Sequence, residues 1–211
     1  MKNETQVRSS AIGIFTEIAR ENYQRILEIE SPRKEIKERL ARSETNDEKL
    51  FSEYELIKLE SKANKCVSIV IVFSAIAIEA YIYDFAARNL SDAFVKNYLD
   101  KLDPISKWVI IPHLITGKEL PRDHRWFELL NKLFQQRNRI VHQKPSSPTV
   151  NEDMISYFKK LQENSDQTYA TAREAIELLD ILPNEMREID PGEIVWISSY
   201  LAPNPDNLFI P

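Results

Sequence analysis

The sequence predicts an all-α protein: a helical bundle with long central antiparallel helices and an extended C-terminal tail. Three observations carry this. Only three glycines occur in 211 residues, Gly13, Gly117 and Gly192. Glycine supplies the positive backbone angles of tight turns, so a protein of many hairpins is excluded. Apolar residues recur at helical spacing over long stretches. Prolines and capping residues fall between those stretches, where helices start and stop. With 43% hydrophobic and 29% charged residues the chain suits one folded domain, 1–190, followed by a tail, 191–211.

The first stretch places Ile12, Phe15, Ile18, Ala19, Tyr23, Ile26 and Ile29 on one helical face, with Ser9 or Ser10 as cap. Ser31-Pro32 is expected to end it and to start a short charged helix over 33–42. Thr45 and Glu48 have the spacing of a capping box. No proline or glycine follows until Pro104, so one very long helix fits, as does a break near 61–64. The run 66–78 is the most apolar. Its thirteen residues fall short of the roughly 20 that cross a bilayer, which favours a helix surrounded by others.

Ser91 can cap a short helix. Asp103-Pro104 reads as cap plus first helical residue of the next. Pro112, Gly117 and Pro121 are expected to break the following stretch into short pieces. An amphipathic helix over 123–143 comes next, capped by Asp123 and ended by the loop at Lys144-Pro145. A second capping box, Thr149 and Glu152, opens one or two further helices marked by Ile155, Phe158, Tyr169, Ile176 and Leu182, with Pro183 as their end or kink. The tail holds Pro203, Pro205 and Pro211, with Trp196, Leu208 and Phe209 in need of a docking site.

The net charge of −5 excludes a uniformly basic nucleic-acid coat. A single cysteine, Cys66, allows neither an internal disulfide nor a cysteine-clustered zinc site, so a reducing, cytoplasmic setting is expected. The first ten residues carry no apolar segment of the signal-peptide kind. His113, His124 and His142 show no ligand spacing, and no glycine loop would cradle a phosphate, so neither metal nor cofactor is implied. Ser74 lacks the flanking glycines of a nucleophile elbow. Of Tyr81, Tyr83, Trp108 and Trp126, all but Tyr83 fit core positions better than base-stacking ones, which leaves Tyr83 as a base-stacking candidate. The cluster Asp123-His124-Arg125-Trp126 fits a helix start better than a catalytic group.

The chemistry concentrates in Arg137-Asn138-Arg139-Ile140-Val141-His142. At about 100° per residue, Trp126, Leu130, Leu133, Phe134, Ile140 and Val141 fall within roughly 60° of Arg137. An arginine in the middle of an apolar face needs a partner or a cavity, because burying an unpaired guanidinium costs several kcal/mol. Glu79, alone in the most apolar helix, is the expected partner. Asn138 and His142 share one edge of that face, about 140° from Arg137 in the case of His142. Lys132, Arg137, Arg139 and Lys144 make 131–144 basic, with no acidic residue among them, as a phosphate backbone would require. Two readings stay open on these grounds. One is a core arginine and a helix-terminal histidine; the other is a reactive pair.

Arg137-Asn138 followed by His142 is an R-x4-H motif, and it resembles the signature of HEPN (higher eukaryotes and prokaryotes nucleotide-binding) domains. The segment Ser74-Ala75-Ile76-Ala77-Ile78-Glu79-Ala80-Tyr81-Ile82 resembles their central helix, and the likeness extends over about 46–182. The resemblance implies a metal-independent endoribonuclease that works as a homodimer, with two motifs facing one cleft. It implies proton transfer by His142, stabilisation of transition-state charge by Arg137, orientation by Asn138 and support from Glu79. Lys132, Arg139 and Lys144 would hold RNA. A toxin or phage-defence role would follow, with an antitoxin protein as a possible partner and no membrane. Where one toxin subclass carries a modified tyrosine, two residues past the histidine, this chain has Lys144. Some HEPN-like domains are instead non-catalytic modules for dimerisation or for binding nucleotides or RNA, and that is the alternative reading.

Overall fold

A computed structural model describes residues 11–142 and 154–193. Six α-helices and no strand occur among them. Helix α1 spans Ala11–Arg42 and α2 spans Asn46–Leu90, 32 and 45 residues long. They form an antiparallel hairpin joined by Ser43, Glu44 and Thr45. Its register is read from Phe15 against Phe73 (5.8 Å), Arg33 on Glu60 (3.1 Å) and Arg39 on Ser52 (3.2 Å). The contact seam is a heptad on both helices. Ala19, Asn22, Ile26, Ile29, Arg33, Ile36 and Leu40 meet Ser52, Leu56, Leu59, Ala63, Cys66 and Val70, all buried or half-buried. Such a period-of-seven stripe is what keeps two helices in contact over many turns. The expected capping box holds α2 at its start: Thr45 Oγ1 accepts from the Glu48 backbone while the Glu48 carboxylate accepts from Thr45 N–H. Those bonds hold the Glu48 carboxyl below its usual range.

Pro32 does not divide α1, a departure from the sequence reading. Proline removes one backbone hydrogen bond, and here the freed carbonyl is that of Glu28, an exposed residue that water can solvate. Helix α2 likewise runs on without a break at 61–64. Its apolar half is the centre of the molecule: Val70, Ile71, Ala77, Ile78, Tyr81, Ile82 and Phe85 are fully buried. By length and composition α2 alone among the described helices could cross a membrane, but over half of its apolar window is packed inside the bundle.

After Ser91, whose hydroxyl accepts from Phe94 N–H, one turn of helix (α3, Asp92–Phe94) widens into a π turn, Val95–Leu99. Helix α4 spans Pro104–Thr116 and starts as expected, with Asp103 accepting from Ile105 and Ser106 N–H at 3.0 Å. It continues through Pro112, against expectation, and stops at Gly117 in the left-handed conformation (φ 71°). Helix α5 is Arg125–Val141. His124 occupies the cap position expected for Asp123 and caps through no side-chain bond. Helix α6, Met154–Ile189, also continues through its proline, Pro183. Trp108 lies between Tyr81 (5.7 Å) and Trp126 (6.3 Å), so these aromatics are core.

Polar bonds give the remaining directions. Helix α5 runs antiparallel to α6, with Arg125 on Glu177 (2.5 Å), Lys132 on Glu174 (3.4 Å) and Gln136 on Thr168 (2.6 Å). Arg20 on Asp180 (2.5 Å) and Arg33 over the Tyr169 ring (5.4 Å) set α6 antiparallel to α1. At the far end Glu193 is buried, accepting from Tyr81 Oη (3.1 Å) and from Arg88 Nη1 and Nη2 (3.1 and 2.6 Å). The start of the expected tail is thereby tied to α2. The caps expected at Ser9, Ser10, Thr149 and Glu152, and the tail aromatics, lie outside the described residues.

Candidate functional site

Helix α5 owes its amphipathic pattern to Trp126, Leu129, Leu130, Leu133, Phe134 and Gln136, all buried. On the helical wheel these centre slightly to one side of Arg137. The helix then runs past its cover. Ile140 still packs on the core, but Val141 is half exposed (52%) and His142 is exposed. Val141, on the apolar stripe of the wheel, is thus left uncovered, and Arg137 is half-buried rather than enclosed.

The expected Arg137–Glu79 pair is not formed. Glu79 binds Lys107 of α4 instead, Nζ to Oε1 at 3.1 Å, and the same ammonium lies 3.8 Å from Asp100. Lys107 is nine-tenths buried and Glu79 only two-thirds, so the deeper group dictates the pairing: a buried ammonium requires a carboxylate within reach. Nothing in the spacing of Lys107 shows this, because its burial depends on how α4 is rotated against α2.

Arg137 turns the other way. Its Nη1 donates to Asn138 Oδ1 at 2.9 Å, carrying the guanidinium from the apolar stripe to the edge. His142 stands on that same edge one turn later, where its backbone N–H donates to the Asn138 carbonyl at 2.9 Å and closes the helix. Asn138 thus links both residues of the motif, one through its side chain and one through its backbone. This bend of Arg137 relieves the 140° separation that the wheel assigns to Arg137 and His142.

The electrostatics change along the α5–α6 contact. Toward its start the basic groups meet carboxylates, Arg125 on Glu177 and Lys132 on both Glu128 (2.7 Å) and Glu174. These partners push the Arg125 and Lys132 pKa values up and hold the Glu177 and Glu128 carboxyls below their usual range. In the last turn the partners are neutral amides: Asn138 for Arg137 and Gln167 for Arg139 (3.2 Å). The charge on Lys132 is thus met within the chain, whereas among the described residues Arg137 and Arg139 are bonded to neutral amides. Lys144 lies outside the described residues.

The arrangement offers two guanidinium groups and an imidazole on one exposed helix end, the set that phosphate chemistry needs. Among the described residues no group of three or more His, Cys, Asp or Glu side chains is placed to hold a metal ion. Comparison with known proteins finds no similar family model, no similar curated protein and no similar solved structure.

Proposed function

We propose that the chain is a metal-independent endoribonuclease of HEPN type, acting as a cytoplasmic homodimer in a toxin or phage-defence role. The observation that carries the reading is the edge of α5. There Asn138 draws the Arg137 guanidinium out of the apolar stripe toward the side that bears the exposed His142. In the reaction, His142 takes the proton of a ribose 2′-hydroxyl or gives one to the leaving 5′-oxygen. The 2′-oxygen attacks the adjacent phosphorus and the bond to the 5′-oxygen breaks, leaving a 2′,3′-cyclic phosphate and a 5′-hydroxyl. Arg137 holds the charge that builds on the phosphorane-like transition state. Arg139 binds a neighbouring phosphate.

The test is RNA cleavage by purified chain in excess EDTA. Cleavage should persist there and fall by about 10²–10⁴ in His142→Ala, as expected when a general acid–base group is removed. Arg137→Ala should fall comparably, and both variants should keep the parent's melting temperature, since neither side chain is enclosed. A chain that leaves RNA intact, and whose nucleotide affinity ignores both substitutions, would instead be the non-catalytic helical module.

A further inference from the structure

The hairpin of α1 and α2 uses only one side of α2. On the opposite side Leu50, Tyr54, Ile57, Ser61, Asn64 and Ser68 form a second line with alternating steps of four and three residues. Its first three members are 69%, 57% and 64% exposed. Single exposed apolar residues need no explanation, but Leu50, Tyr54 and Ile57 fall on successive seam positions of a heptad, which the small polar Ser61, Asn64 and Ser68 continue. Leu50, Ile57 and Asn64 take its d positions, and Tyr54, Ser61 and Ser68 its a positions.

We propose that this bare seam is the site where a second copy of the chain docks, in parallel and in register. The flanking charges select that occupant. The g positions are Glu53 and Glu60, and the e positions include Lys58 and Lys65. In a parallel pair each g faces the e of the partner's next heptad, so Glu53 meets the partner's Lys58 and Glu60 the partner's Lys65. An antiparallel pair would set glutamate against glutamate and lysine against lysine, which is repulsive. Lys58 already lies over the Tyr54 ring (4.6 Å from its centroid), at the rim of the seam and within reach of a facing carboxylate. Glu60 also holds Arg33 of α1, so its pair is shared and Glu53–Lys58 is the cleaner one.

The seam is built from α2 alone. Its bearing on RNA rests on the function proposed above, because it names the surface that would bring two motifs together. The last turn of α5 stands level with Glu60, by way of Arg139 on Gln167, then Tyr169 under Arg33, then Arg33 on Glu60. A parallel pair therefore sets both motif ends at one height along the shared two-fold axis.

Sedimentation equilibrium of the full chain over a concentration series tests this. The wild type should be a reversible dimer. Ile57→Lys should weaken it at least about tenfold with the melting temperature of the monomer unchanged, the side chain being exposed. Glu53→Lys should weaken it too, and adding Lys58→Glu should restore it. Ser61→Cys should give a disulfide-linked dimer on mild oxidation, which only the in-register parallel arrangement allows. A wild type monomeric at every concentration, a dimer indifferent to Ile57→Lys, or a charge swap that does not restore association would overturn the proposal. A monomer that cleaves RNA would sink the seam together with the proposed homodimer and spare the chemistry of Arg137 and His142; a dimer inert toward RNA would spare the seam and sink that chemistry.

Discussion

A buried lysine is the residue that most constrains its surroundings here. Lys107 carries its ammonium inside the bundle, with Glu79 at 3.1 Å and Asp100 at 3.8 Å. Glu79→Gln removes the nearer charge and leaves the ammonium with the more exposed Asp100. Breaking a buried pair from one side costs about 3–5 kcal/mol, and the partial exposure of Glu79 reduces that to roughly 2–3. Lys107→Met should cost less, since Glu79 can rehydrate and the methionine fills the space. In a double-mutant cycle followed by urea unfolding, the Lys107→Met background should absorb most of the Glu79→Gln effect. Additive costs would mean that Glu79 acts elsewhere. At the same scale, Arg137 shows the limit of a helical wheel. The wheel places its Cα correctly on the apolar stripe, but a long side chain on the last cycle of an uncovered helix can leave that stripe, and Asn138 gives it a reason to do so. Glu79 was the partner expected for Arg137, and Asn138 entered as an orienting residue only through the resemblance. The Lys107 that Glu79 binds instead was not legible, because it lies 28 residues away on another helix.

Element boundaries were legible where one residue closes a local bond. Thr45 with Glu48, Asp103 with Pro104 and Gly117 each act within a turn of themselves, and each sits where its chemistry demands. Pro32 and Pro112 misled because a proline's effect is decided by packing: both lie inside continuous helices, and of the two outcomes expected at Pro183, an end or a kink, the end does not occur. A proline costs a helix about 3 kcal/mol in isolation, an amount that the long α1–α2 seam exceeds on both sides of Pro32. Helix α1 therefore spans the proline and goes without one backbone hydrogen bond. Pro32→Ala should restore the Glu28 carbonyl bond and stabilise the protein by about 1–3 kcal/mol, read as a higher urea midpoint with an unchanged slope. A lower midpoint would show that the hairpin depends on the geometry the proline imposes. Asp103 adds bonds at a helix start, whereas Pro32 removes one inside a helix. Its bonds to Ser106 and Ile105 hold the carboxyl below its usual range, so the cap contributes above the ordinary carboxylate pKa and is lost as the pH falls through the lowered value.

For the molecule as a whole, the all-helical class follows from glycine scarcity and helical periodicity, but the way the chain is closed does not. Glu193 comes after α6 and ends up buried beside α2, with Tyr81 and Arg88 both donating to it. Its neighbours Pro191 and Gly192 read as the start of a tail, and no periodic pattern points back to a helix more than a hundred residues earlier. This clamp gives the fold a distinctive response to alkali. Burial, reinforced by the negative charge of Glu193, pushes the Tyr81 phenol far above its ordinary value near 10. In the unfolded chain the same phenol ionises near pH 10, while in the folded chain it stays neutral. The folded state thus holds one more proton, and the stability from Tyr81 is complete below pH 10 and declines above it. One proton corresponds to about 1.4 kcal/mol per pH unit. Tyr81→Phe should cost roughly 1 kcal/mol at neutral pH for the lost bond to Glu193, yet flatten the stability curve between pH 10 and 11 by about that slope. The two curves should therefore converge as the pH rises, measured by urea unfolding at each pH. Parallel curves would mean that Tyr81 ionises as easily folded as unfolded, and that Glu193 closes the bundle through Arg88 alone.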